Sequence, residues 1–151
     1  MNITPTMAGG LCIEPESEAD WMVLQMIGSD IGRSGHLAEA LSDLMEDDEG
    51  DWGEFVLPDI KQTFRGQTQM VTRTIDDAHE NEEKAVFIPA KHGDAWYGAI
   101  NQARHTLQAR YQFDSVENIE VAPAELRSAY FRDRFYLTLQ SLLLDYVMEE
   151  M

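Results

Sequence analysis

Apolar residues recur along this chain mostly at helical spacing, and the stretch Asp94–Tyr111 carries the clearest case. Trp96, Ile100, Ala103 and Leu107 fall on one stripe of a helix. Beside them runs a second stripe of long polar and aromatic groups: Tyr97, Asn101, Arg104, Gln108 and Tyr111. The pattern predicts the inner helix of a bundle, with function sought on its polar side. Upstream, Ser17-Glu-Ala-Asp20 has the spacing of a helix-opening capping box. The helix it opens carries Trp21, Leu24 and Ile27 on one side and fades between Gly28 and Gly35. A second helix, about 36–46, sets Leu37, Leu41 and Leu44 on one face and closes a helical hairpin. Pro58 suits the first turn of a third helix reaching about Glu82, with Ile60, Phe64, Val71, Ile75 and Ala78 inward. Gly66 is the expected point of a kink or a close neighbour in it. Pro123 starts the last helix, to about Glu149. Its segment Phe135–Val147 is apolar nearly all round and is expected to be the most buried element.

Strand signals are short. Ala85–Ile88 is β-branched and ends at Pro89, Asn118–Val121 is its expected partner, and Leu11–Ile13 is a third candidate. The fold class that follows is mainly α: about five helices in a bundle, with a minor two- or three-strand β element at one end. The 151 residues fit a single helical domain. Residues 1–10, with Pro5 and Gly9-Gly10, are expected to be flexible.

Charge narrows the partners. Asp and Glu number 28 against 11 Lys and Arg, a formal −17. Such a field repels phosphate backbones and anionic lipid, so neither nucleic acid nor a membrane is an expected partner. No apolar run approaches the ~20 residues of a membrane span. The start of the chain lacks the basic and apolar regions of a secretion signal. One cysteine, Cys12, excludes an internal disulfide and any four-cysteine zinc site. These features point to the cytoplasm.

Candidate chemistry is sparse. Asn101 and Arg104 share a helix face and, with Gln140 opposite and Arg110 and Tyr111 further along, could hold a carboxylate or phosphate. The competing reading is structural: Arg104 pairs with one of the many acids while Asn101 and Gln140 satisfy each other. The loop Asp47–Asp51 is acidic, but Trp52 and Pro58 fall where a calcium loop needs Gly and Glu. Asp76, His79, Glu80 and Glu83 resemble half of a carboxylate-bridged di-metal site, but the other histidines lack the required Glu three residues earlier. Neither a metal nor a cofactor is expected. Cys12 has no histidine nearby in sequence, and no phosphate loop or nucleophile-elbow pattern occurs, so catalysis is not the expected role. Trp52, Phe55 and Val56, after the acidic loop, form a candidate apolar interaction patch.

Trp96, Asn101, Arg104, Leu107 and Arg110, followed by Leu139 and Gln140, resemble the signature of a bacterial family described only as a domain of unknown function. That family is common in actinobacteria, and its gene often lies beside that of the adaptor for the Clp protease. Its pattern runs Trp, then Asn-Asp-Leu-Arg, Leu-Gly-x-Arg and Leu, then Leu-Thr-Trp-Leu-Gln. Here Gln102 and Ala103 replace the Asp-Leu pair, and Gln108 stands at the Gly. The resemblance implies a shared helical fold, and the gene neighbourhood points to regulated proteolysis or amino-acid metabolism. Two functions remain open: a non-enzymatic regulatory or adaptor protein acting through protein contacts, either with another protein or as a homodimer, and a small-anion-binding protein or enzyme using Asn101 and Arg104. A DNA mimic is a third reading, disfavoured because the acids scatter over helices and loops rather than tracking a duplex.

Overall fold

The computed structural model describes residues 1–32, 36–44, 56–115 and 117–148. Five α-helices account for most of them: α1 Glu18–Ile31, α2 His36–Leu44, α3 Leu57–Glu80, α4 Gly93–Tyr111 and α5 Ala124–Leu143. A single π-helical turn, Leu144–Met148, extends α5. The capping signal at Ser17 works as its sequence suggests. Ser17 Oγ accepts a hydrogen bond from the Asp20 amide at 3.3 Å, while Asp20 Oδ2 reaches back to the Glu16 amide at 2.8 Å. At the other end of α1, Gly32 adopts φ +67°, a left-handed conformation open to glycine at little cost, and the chain leaves the helix there. Thr106 Oγ1 of α4 then donates to the Ile31 carbonyl at 3.1 Å and satisfies one of the orphaned C-terminal acceptors.

Helix α4 is the axis of the bundle, flanked by α1, α3 and α5. Trp96, Ala99, Ile100, Ala103 and Leu107 are all buried in one core. That core also takes Leu24 and Ile27 of α1, Val71 and Ile75 of α3, and Tyr136, Leu139 and Leu143 of α5. Helix α5 runs antiparallel to α4: Arg104 contacts Asp133 and Gln140, and Tyr111, further along α4, bonds Glu125, further back on α5. The expectation that Phe135–Val147 would be the most buried segment is corrected. Thr138, Ser141, Leu144 and Tyr146 are exposed, because α5 lies on the outside and has only one face against α4. A β-carbon at Gly66 would meet no other part of the described residues within 4 Å, so no close approach explains this glycine.

The β element has three strands in the order β1-β2-β3, all antiparallel: β1 Asn2–Pro5, β2 Leu11–Glu14 and β3 Val86–Ile88. Two sequence expectations change here. Asn2–Pro5, within the stretch expected to be flexible, pairs Ile3 with Ile13 and folds back through a turn at Thr6–Gly9. The partner of β3 is β2, not 118–121, which is a 3-10 turn at Ile119–Val121. Alternation decides this pairing: Leu11, Ile13, Val86 and Ile88 all point inward and are buried. Gly10 allows it, since a β-carbon there would overlap the Ile88 carbonyl. Among the described residues, no helix is long and apolar enough to cross a membrane.

Candidate functional site

The polar stripe of α4 does not converge on an open anion site. Arg104 Nη1 donates to Gln140 Oε1 at 2.9 Å, and its Nε faces Asp133 Oδ1 at 3.3 Å. Gln108 Nε2 meets the same carboxylate oxygen at 3.4 Å. Asp133 and Gln140 are buried and Arg104 is half-buried, so the guanidinium already has its carboxylate within the fold. Asn101 is exposed, as is Arg110, whose guanidinium carbon lies 6.0 Å from the Tyr111 ring centroid. Asn101 and Gln140 do not satisfy each other: the Nε2 of Gln140, like Trp96 Nε1, has no hydrogen-bond partner among the described residues. The neighbouring Gln102, buried toward α3, donates to the Phe64 carbonyl at 3.1 Å.

A stronger polar cluster joins α1 to α5. Asp30, 3% exposed, receives Arg132 Nε at 2.7 Å and Nη2 at 3.0 Å in a bidentate pair. Tyr136, fully buried, donates its hydroxyl to Asp30 Oδ2 at 2.6 Å. Arg132 Nη1 continues to Ser128 Oγ at 2.7 Å. Burial, then the neighbouring Asp30 carboxylate, push the Tyr136 phenol far above its ordinary range. Burial lowers the Arg132 pKa, but the Asp30 hydrogen bond and charge outweigh it and leave a net rise. Sequence reasoning missed this cluster, although a signal was present. Asp30 follows Leu24 and Ile27 on the buried side of α1, and a charge in that position requires a partner.

Beside this cluster the surface opens into an apolar groove of about 650 Å³ between α1 and α5. From α1 it takes Ala19, Met22, Val23 and Met26, from α5 Ser128, Phe131, Arg132 and Phe135, and Met1 closes one part. Met22 and Phe131 stand 63% and 65% exposed, whereas the other large apolar side chains of these two helices are buried or half-buried. The only ionised side chain among the lining residues is Arg132, already bound by Asp30.

The remaining candidates are placed as follows. His79 bridges α3 to α1, its Nε2 lying 2.8 Å from Glu18 Oε1 and its Nδ1 3.2 Å from Gln25 Nε2, with the Trp21 ring 5.0 Å away. Asp76, Glu80 and Glu83 are exposed beside it, and among the described residues no three His, Cys, Asp or Glu side chains are grouped to hold a metal ion. Burial, then the Glu14 charge, raise the Cys12 thiol above its ordinary value, the opposite of nucleophile activation. The acidic loop, Trp52 and Phe55 lie outside the described residues, and Val56, at the start of α3, is exposed.

No curated protein matches the chain, and no solved structure does. A protein-family comparison does match, with a family described as a domain of unknown function, DUF2017. The match runs over residues 15–147, from the turn before α1 into the π turn after α5, and so takes in α4, the Arg104 network and both walls of the groove. On that extent of likeness, the chain belongs to the DUF2017 family.

Proposed function

We propose that the chain works as a non-enzymatic regulatory or adaptor protein of the cytoplasm, holding a protein partner in the groove between α1 and α5. The observation that carries this reading is the exposure of Met22 and Phe131 over an apolar floor, on a surface otherwise rich in acids. Met26, Val23 and Phe135 are half-buried below them, so docking has more apolar area to cover there. The alternative, a small anion held by Asn101 and Arg104, loses support because Asp133 and Gln140 occupy the guanidinium. Of the patch read from Trp52, Phe55 and Val56, only Val56 lies among the described residues, so the groove carries the reading.

The test is capture from native lysate with tagged wild-type chain and with a Met22→Ala/Phe131→Ala variant, followed by binding with the purified partner. Retention of one stoichiometric partner by wild type, with at least about tenfold weaker binding to the variant, is the expected result. Equal capture by both would remove the groove from the account. Thermal stabilisation by inorganic phosphate, abolished by Asn101→Ala with no partner captured, would move the function to the α4 site.

A further inference from the structure

Helix α3 changes character partway along. From Leu57 to Met70 no side chain is buried, and Leu57, Ile60, Phe64 and Met70 reach only half-burial. Beyond that point Val71, Ile75 and Ala78 all enter the core. The first half therefore has little of the apolar packing that holds a helix in a fold. The break falls on the turn Phe64–Thr68, where three observations meet. Gly66 sits inside it, and a β-carbon there would meet nothing within 4 Å, so the glycine is not needed to admit a neighbour. What it does supply is backbone freedom, at a cost in helix stability relative to alanine. The Phe64 carbonyl accepts Thr68 Oγ1 at 3.0 Å and, from α4, Gln102 Nε2 at 3.1 Å. A continuous α-helix also asks that carbonyl to accept the Thr68 amide, so three donors compete for two lone pairs. Thr63, Thr72 and Thr74 back-bond along α3 in the same manner, to the Asp59, Thr68 and Met70 carbonyls, and at Phe64 a second helix adds its own donor. Side chains inserted into the helical ladder in this way bend helices.

Gln102, 3% exposed, ties α4 to this turn. Its amide also reaches Gln67 Oε1 at 3.4 Å. Gly98, one turn earlier on α4, leaves room for the Gln67 side chain, which a β-carbon at that position would overlap. Toward α2, Lys61 Nζ meets Glu39 Oε1 at 3.0 Å, but both side chains are open to water and the pair is correspondingly weak. We infer that the Phe64–Thr68 turn is a hinge, latched by Gln102, about which the arm Leu57–Arg65 opens and closes while Val71–Glu80 stays in the core. Isolated helices shorter than about 12 residues are marginal in water, so the released arm melts as one unit. Opening bares the side of α4 around Gly98 and Gln102 that the closed arm covers.

Native-state amide hydrogen exchange of the full chain tests the hinge, with Ile75→Val, Gly66→Ala and Gln102→Leu as variants. The expected wild-type result is one shared protection factor across Lys61–Arg65, at least about tenfold below that of Thr72–Ala78. Ile75→Val, beyond the hinge, should lower protection of Thr72–Ala78 about fivefold and leave the arm unchanged, because the arm opens while Ile75 is still packed. Gly66→Ala, for which there is room, should raise arm protection about fivefold. Gln102→Leu should lower it about tenfold, since the latch is lost. Protection that climbs steadily from Lys61 to Val71 is fraying from the helix end and overturns the hinge. An arm that loses as much protection as the core in Ile75→Val belongs to a single cooperative α3, which overturns it equally. Arm protection untouched by Gly66→Ala removes the hinge from that turn, and arm protection untouched by Gln102→Leu removes the latch.

Discussion

At the residue scale, the strongest polar commitments of this chain are two buried charge networks. Asp30, Arg132 and Tyr136 leave no carboxylate oxygen unpaired, so the cost of burying them is offset only while the set is whole. Asp30→Ala strands the Arg132 guanidinium, and a loss of about 3–5 kcal/mol in urea unfolding is expected. Arg104→Ala costs less, about 1–3 kcal/mol, because Asp133 keeps its contact with Gln108 and the site is partly wet. An unchanged unfolding midpoint would separate Arg104 from the core and return it to ligand binding. Tyr136 gives the pH signature. Its folded pKa is raised above the unfolded value near 10, so its contribution is complete below pH ~10. Above that pH the unfolded state loses the phenol proton and the folded state keeps it, and stability falls by about 1.4 kcal/mol per pH unit from this group. Tyr136→Phe should flatten that alkaline slope, by up to about 1.4 kcal/mol per pH unit, in unfolding measured above pH ~10 and leave it unchanged below.

At the element scale, helices were legible in the sequence and their partners were not. The stripe Trp96, Ile100, Ala103, Leu107 places α4 in the core because its period matches 3.6 residues, and the Ser17 signal fixes where α1 begins. Ser17→Ala should cost about 1 kcal/mol, read as a lowered melting temperature, since the Asp20 amide loses its side-chain acceptor and keeps only the Ser17 carbonyl at 3.1 Å. The strand Ala85–Ile88 was equally plain, yet its pairing with Leu11–Glu14 depends on a contact between segments some seventy positions apart, which no local pattern encodes. The apolar run in α5 misled for a related reason. Leu144 and Tyr146 of the π turn read as core by composition, but an outer helix and its extension bury only the side turned to α4 and α1. At the candidate site, Arg104 and Gln140 were correctly placed on facing helices. Asp133 was not singled out, because with 28 acids in the chain the sequence offers no reason to prefer it. Asp30 and Arg132, 102 positions apart, become a pair only once α1 and α5 lie side by side.

At the scale of the whole molecule, a chain of net charge −17 carries an apolar groove between α1 and α5. Two of its lining side chains are ones the fold does not need for stability: Met22 and Phe131 are exposed, so replacing both with alanine should shift unfolding by no more than about 0.5 kcal/mol each. That separation between stability and contact makes the docking claim testable without unfolding the protein. The most direct measurement is amide hydrogen exchange on the chain alone and bound to its purified partner. Slowed exchange confined to Ala19–Met26 and Ser128–Phe135 is the result this account predicts. Protection centred on Asn101–Arg110, with those two segments unchanged, would contradict it.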